Sequence, residues 1–259
     1  MLHQWSQQQL DAVVADLFGF HAVQLGLPAL DALRANRMPH RWLVAGPGTE
    51  SEPDSHWAAD ADPGVSGWGG PNAIALWCDF DALPFDSQSL DLVVLPHTLE
   101  LARDPHLALR EVERVLRPEG RLVLLGFNPA SLWGLRHWLG RWRLRTGLGR
   151  GETFLPHTGE LFGHRRVRDW LRLLSFEVEE NRWGCYGLPW QSARRLDWLE
   201  RAGARWWPVL GAAHIVVAVK RVRGMRLVGL LRQPARAGQA TPAVALNQHS
   251  HQKHRLHEH

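Results

Sequence analysis

Five short apolar runs constrain this chain more than any other feature of its sequence: His21–Leu25, Arg41–Ala45, Ala73–Trp77, Leu90–Leu95 and Arg121–Phe127. Each has strand length and is apolar at successive positions, so both of its faces call for cover. Segments of helical pattern or polar loop lie between them. The clearest is 104–117, where Asp104 can cap, Pro105 suits the first helical position, and Leu107, Ala108, Val112, Val115 and Leu116 make one apolar stripe. Pro118-Glu119-Gly120 then ends the helix and turns the chain into the next strand. Strand and helix in alternation predict an α/β fold, a mostly parallel doubly wound sheet with helices on both faces and right-handed crossovers.

Beyond Phe127 the pattern loosens. A helix over Ser131–Arg145 would carry Leu132, Leu135, Trp138, Leu139 and Trp142 on one side. Val167–Leu174 reads as helix, Phe176–Glu180 as extended, Gln191–Arg201 as helix, and His214–Lys220 as the last strand. One domain over 1–222, with Trp/Arg-rich insertions at about 131–165 and 184–210, is followed by a tail, 223–259. That tail is basic and His-rich, and its composition predicts disorder. Its histidines lack the fixed spacing of a metal site, so no metal is expected.

Charge divides the chain sharply. Residues 1–120 hold 17 acids against 7 bases, whereas 121–259 hold 9 against 23, nearly all arginine, with nine of the 14 tryptophans. The Trp/Arg segment 131–145 has three readings: a lid packed over a pocket, a helix on an anionic membrane surface, or a nucleic-acid contact, the last being the least favoured. No apolar run approaches the roughly 18 residues needed to span a bilayer. The N-terminus has no basic leader or apolar core of a signal peptide, and Cys78 and Cys185 have no CxxC spacing. A cytoplasmic protein is expected, in contact at most with the inner face of a membrane.

The stretch from Ala73 to Phe127 carries a family likeness. Cys78-Asp79 ends a strand and Leu83-Pro84-Phe85 follows. Then come the strand Leu90-Asp91-Leu92-Val93-Val94, the helix start Asp104-Pro105, Glu111, Arg114-Val115-Leu116 and Pro118-Glu119-Gly120. In that order these resemble the second half of the Rossmann-like core of class I S-adenosylmethionine (SAM) methyltransferases. Leu95–Leu99 and Gly126–Arg136 narrow the resemblance to a group of bacterial methyltransferase-related proteins typified by YafS. The likeness implies a first strand at Gly19–Leu27, a first helix over Pro28–Asn36 and a second strand at Arg41–Ala45. It implies SAM as cofactor and a small-molecule or lipid-like methyl acceptor.

The same comparison shows where the pattern departs. Family members follow the first strand with an acidic residue and a glycine-rich loop, whose glycines admit the cofactor's methionine end. Here Gln24 stands for the acid, Gly26 is the surviving glycine, and Pro28 and Leu30 replace the later ones. An alternative register makes Gly46-Pro47-Gly48 the loop. The acid expected after the second strand, which bonds the ribose, falls near Gly46. Asp79 persists where relatives bond the adenine amino group, with Phe80 placed to lie against the ring, and Leu95 and His97 close the cofactor-binding set. His97, after the Leu90–Pro96 strand, is the candidate general base, with Glu100 one turn on to orient it, and Asn128 is a candidate acceptor contact. Two functions follow: a methyltransferase with an altered cofactor loop, or a non-catalytic binding or regulatory protein on the same frame.

Overall fold

The structure, a computed structural model, describes residues 2–46, 74–146, 161–186 and 211–221. The chain divides into a unit spanning Met1–Arg223 and one spanning Gly224–His259, and every described residue belongs to the first. The sequence-predicted tail and the Gln191–Arg201 helix lie outside the described residues.

Elements run in the order α1 (Leu2–Val14), β1 (His21–Leu25), β2 (His40–Ala45), β3 (Ile74–Trp77), β4 (Leu90–Pro96), α2 (Thr98–Leu101) and α3 (Pro105–Val115). Then follow β5 (Leu116–Phe127), α4 (Leu132–Thr146), α5 (His164–Leu173), β6 (Phe176–Gly184) and β7 (Ala213–Lys220). They form a seven-stranded sheet in the order β3-β2-β1-β4-β5-β7-β6. β1 to β5 are parallel, and β7 inserts antiparallel between β5 and β6. The carboxyl ends of the parallel strands share one edge, where open α/β sheets bind ligands.

Strand pleating sorts the apolar runs into two cores. Val23, Leu25, Val93, Leu95, Leu122 and Leu124 point to one face and meet Ala108, Leu109, Val112 and Val115 of α3. Their neighbours Ala22, Leu92, Val94, Val123 and Leu125 point to the other and meet Leu10, Val13 and Val14 of α1. Both faces are covered, as continuous apolar runs require. Asp104 caps α3 by accepting from the N–H groups of His106 and Leu107. Glu119, at φ 64°, makes the expected turn, and the ladder slips there so that Leu90 pairs with Leu116 but Leu92 with Arg121.

The expected first helix over Pro28–Asn36 is absent; this stretch is a series of tight turns, with the N–H groups of Leu30, Arg34 and Asn36 bonded three residues back. Gln24 explains the difference. Its buried amide donates to the carbonyls of Leu30 (2.6 Å) and Leu27 (3.2 Å), and its Oε1 accepts from Ala32 N–H (2.8 Å). These are groups that a helix would need for its own ladder. The covering role passes to α1, which the sequence pattern had not disclosed. Leu30 and Leu33 join its core, and Gln7 Nε2 donates to the Asp31 carbonyl.

Candidate functional site

The carboxyl edge is built from two halves. On one side lie the ends of β1, β2 and β3. The chain leaves β1 through Gly26, at φ 79°, and Gly26 N–H donates to Val44 O of β2 at 2.8 Å. β1 lies centrally between β2 and β4, and Gly46 follows β2. The topology therefore sets Gly26 in the loop after the first strand and Gly46 in the loop after the second; Pro47 and Gly48 lie outside the described residues.

Phe80 is the decisive side chain of this half. It is buried among Leu25, Val44, Leu83, Leu95 and Leu99. A Cβ on Gly46 would stand 2.6 Å from its Cζ, and one on Gly26 would stand 3.5 Å from the same atom. The ring thus lies directly against both glycines. Phe80 and Leu95, both expected in the cofactor-binding set, are buried here, at 5% and 1% exposure. Thr98 fills the other side of Gly26, 3.2 Å from the position of its missing Cβ. Asp79 remains exposed just past the end of β3. Its charge and partial burial both raise the Cys78 thiol above its ordinary pKa, burial being the larger cause.

The cofactor that the fold family implies can be tested against these atoms. An exposed carboxylate at the end of β3 fits the adenine amino group. Beside Gly26 and Gly46 the group in contact is the Phe80 ring, which offers a packing face and no acceptor for ribose hydroxyls. A donor seated here would rest on Phe80 and be anchored at Asp79.

The other half gathers at the ends of β4, β5 and β7. His97 adopts the left-handed conformation, φ 55°, as the chain turns from β4 into α2. Its ring is buried, stacks on Phe127 at 4.0 Å, and holds Nδ1 3.8 Å from Glu100 Oε1. Glu100 is itself buried and accepts the Phe127 N–H at 2.8 Å. His214, opposite Gly126 in the β5–β7 ladder, completes the cluster. A Cβ on Gly126 would lie 3.0 Å from the His214 ring and 3.2 Å from Glu100 Oε1, so glycine is what lets the two approach. Both His214 nitrogens are buried without a hydrogen-bond partner among the described residues. Burial first, and then the neighbouring His164 and His97, push its pKa down to about 3, so it is neutral at any ordinary pH. His164 at the start of α5 meets His214 edge-on at 5.6 Å and bonds Asn181.

Among the described residues, no group of three or more such side chains is arranged to hold a metal ion. The expected pairing of His97 with Glu100 is present in space. Asn128 is committed to structure: its Nδ2 donates to Gly211 O, and its Oδ1 accepts Ala130 N–H. It shapes the rim of the edge. His214 and His164 were not singled out from sequence; the available signal was a histidine opening an otherwise apolar strand.

Sheet order, strand polarity and the site at the carboxyl edge define a class I methyltransferase fold. A methyltransferase-domain family model matches residues 63–124. Two solved structures share the fold. One is a chain of a Haloferax volcanii complex containing the Trm112 methyltransferase activator: TM-score 0.56, 18% identity, 86% of this chain and 91% of that one. The other is an S-adenosylmethionine dependent methyltransferase from Mesorhizobium loti: TM-score 0.53, 18% identity, 84% of this chain and 97% of that one. The sequence narrows the class further. YafS of Escherichia coli (strain K12), described as an uncharacterized protein, is 32% identical over 217 residues, 83% of this chain and 74% of YafS. The chain belongs to the YafS family of methyltransferase-domain proteins. A ubiquinone/menaquinone biosynthesis C-methyltransferase from Cellvibrio japonicus is 37% identical over 67 residues, but this covers a quarter of each protein, 26% and 25%.

Proposed function

We propose that this chain is a SAM-dependent methyltransferase whose donor site has been rebuilt around Phe80. One observation carries the reading: the carboxyl edge sets an exposed Asp79 at β3 and a buried His97–Glu100 pair after β4, on either side of the β1 turn at Gly26. SAM, when bound, supplies an electrophilic methyl group on a sulfonium. The protein's part in such a transfer is mostly alignment, which needs little acid–base machinery when the acceptor is already nucleophilic. Asp79 would hold the adenine end by a charge-assisted hydrogen bond. His97 would take a proton from the acceptor, with Glu100, held by its bond to Phe127 N–H, near its Nδ1. His214, kept neutral, adds no positive charge to repel a cationic donor. The acceptor belongs to the small-molecule or lipid-like class.

A second reading, a methyltransferase-fold protein that binds or regulates without transferring, is favoured by the Phe80 ring against Gly46. Calorimetric titration of the full chain with SAM and S-adenosylhomocysteine separates the two. Wild-type binding that falls about 10- to 100-fold in Asp79→Ala supports the transferase, since one charge-assisted bond is worth about 1.5–3 kcal/mol. Equal binding in the variant removes Asp79 from the adenine site. No heat with wild type at about 100 µM protein supports the second reading.

A further inference from the structure

Helix α4 faces the wrong way for a helix of a monomer in water. Ser131 opens it, its Oγ accepting the Gly134 N–H at 3.1 Å. Trp133 packs against the second core, and Gly134 and Gly140 are buried. Gly134 sits so close to the Pro129 carbonyl that no side chain would fit. That face is held against the domain by small residues and one tryptophan. The opposite face is apolar and open: Leu132, Leu135, Trp138, Leu139 and Trp142 are 51%, 57%, 61%, 38% and 49% exposed. At 100° per residue these five fall within an arc of about 120°. The stripe seen in the sequence is therefore real, but it is turned outward rather than packed as a lid.

The charge beside the stripe indicates its occupant. α4 contains Arg136, Arg141, Arg143 and Arg145 and no acidic residue. Helical spacing puts backbone positions 136 and 143 along one margin of the apolar arc and 141 and 145 beyond the other. Apolar side chains with tryptophan, flanked by arginine, match a helix lying in the plane of an anionic membrane surface. A protein partner would need acids to meet the arginines at fixed points, whereas lipid headgroups supply negative charge wherever it is required. No helix among the described residues is long and apolar enough to cross a membrane. We infer that α4 docks the protein on an anionic lipid bilayer through Leu135, Trp138, Leu139 and Trp142. The inference rests on the packing of α4 and not on the proposed methyl transfer. Because α4 follows directly from β5, docking would bring the carboxyl edge of the sheet toward the membrane.

The test is co-sedimentation of the full chain with vesicles of phosphatidylcholine, alone or with about 30% phosphatidylglycerol, at low and high salt. Wild type is expected to sediment only with the anionic vesicles and to be released by salt. The double variant Leu135→Asp, Trp138→Asp changes exposed positions and should keep the wild-type melting midpoint while losing at least about 10-fold in binding. Arg136→Ala should lose about 5-fold, the equivalent of one basic residue near the surface. No sedimentation of wild type at low salt overturns the proposal, as does binding that the double variant leaves unchanged. A dimer in analytical ultracentrifugation that Leu135→Asp dissociates would overturn it in favour of a second copy of the chain. Tight binding of a single-stranded oligonucleotide, lost in the same variant while vesicles do not bind, would overturn it in favour of nucleic acid.

Discussion

The two halves of the carboxyl edge have been treated differently by the sequence. Along β1, β2 and β3 the side chains just past the strand ends serve the protein's own packing: Gln24 stitches the turns after Gly26, and Phe80 lies on Gly46. Along β4, β5 and β7, polar groups are buried without being spent on the fold to the same degree: the His214 nitrogens have no hydrogen-bond partner among the described residues. The sheet beneath is continuous, and its two cores run under both halves. The two halves can differ on one continuous sheet because topology is set by the apolar strands, whereas a site is set by the few residues just past their ends.

The largest effect that would break this comparison is expected at Phe80. Phe80→Ala removes a buried ring that touches both glycines and should cost about 3–5 kcal/mol, a fall of about 10 °C in Tm. If the ring blocks a donor, SAM affinity should rise in the variant even as stability falls. If affinity falls instead, the ring is a floor on which the donor rests, and the two halves are more alike than their contacts suggest. Calorimetry beside a thermal melt reads both.

Gln24→Glu places an acid at the end of β1, and it is expected to destabilise. The amide nitrogen faces the carbonyls of Gly26, Leu27 and Leu30, and an oxygen in its place is repelled by all three. A loss of about 2–3 kcal/mol follows, read as an earlier urea midpoint. A neutral result would show that the turns after β1 can still rearrange into a cofactor loop.

On the other half, His214 makes stability depend on acid. Its folded pKa, about 3, lies below the unfolded value of 6.5. The unfolded chain therefore binds the proton first, and stability falls as pH drops below about 6.5, by about 1.4 kcal/mol per pH unit. At pH 5 the loss is about 2 kcal/mol. His214→Leu should flatten the slope between pH 6.5 and 5 in denaturant titrations; an unchanged slope would mean that another group carries it.

Much of this architecture was legible in the sequence, for reasons that differ along the chain. The strands and α3 were readable because apolar periodicity, Asp104 and the Pro118–Gly120 turn all agree locally. His97 and Glu100 were readable because three residues on one helical turn bring them together. The turns at 28–36 were not, since they depend on where the Gln24 side chain points, which no periodicity encodes. His214 comes within electrostatic reach of His97, 117 positions away, only through the antiparallel insertion of β7 beside β5. The apolar stripe of α4 was visible, but which way it faced was not: that depends on Gly134 and Gly140 lying against the domain.

The smallest expected effect supplies the control that sharpens the comparison, because it lies at the opposite edge of the sheet. Asp91 near the start of β4 accepts the N–H groups of Phe20 and His21 at 2.8 and 2.9 Å, and Arg117 pairs with its other oxygen at 3.0 Å. Burial pushes this carboxyl up, but the two N–H donors and the guanidinium outweigh it and hold its pKa below the ordinary value. A depressed carboxyl contributes stability that is present above its unfolded pKa of about 4 and is lost as pH falls through the lower folded value. Asp91→Asn keeps an acceptor for the N–H groups but turns an amide toward Arg117, so the ion pair is lost. With the side chain mostly covered, about 1 kcal/mol should go at neutral pH, and the acid-side slope below pH 4 should flatten. Neither SAM titration nor vesicle sedimentation should change, since Asp91 is remote from the carboxyl edge and from α4. A change in SAM binding here would mean that ligand affinity follows global stability, and the Phe80 and Asp79 results would then say nothing specific about either half of the edge.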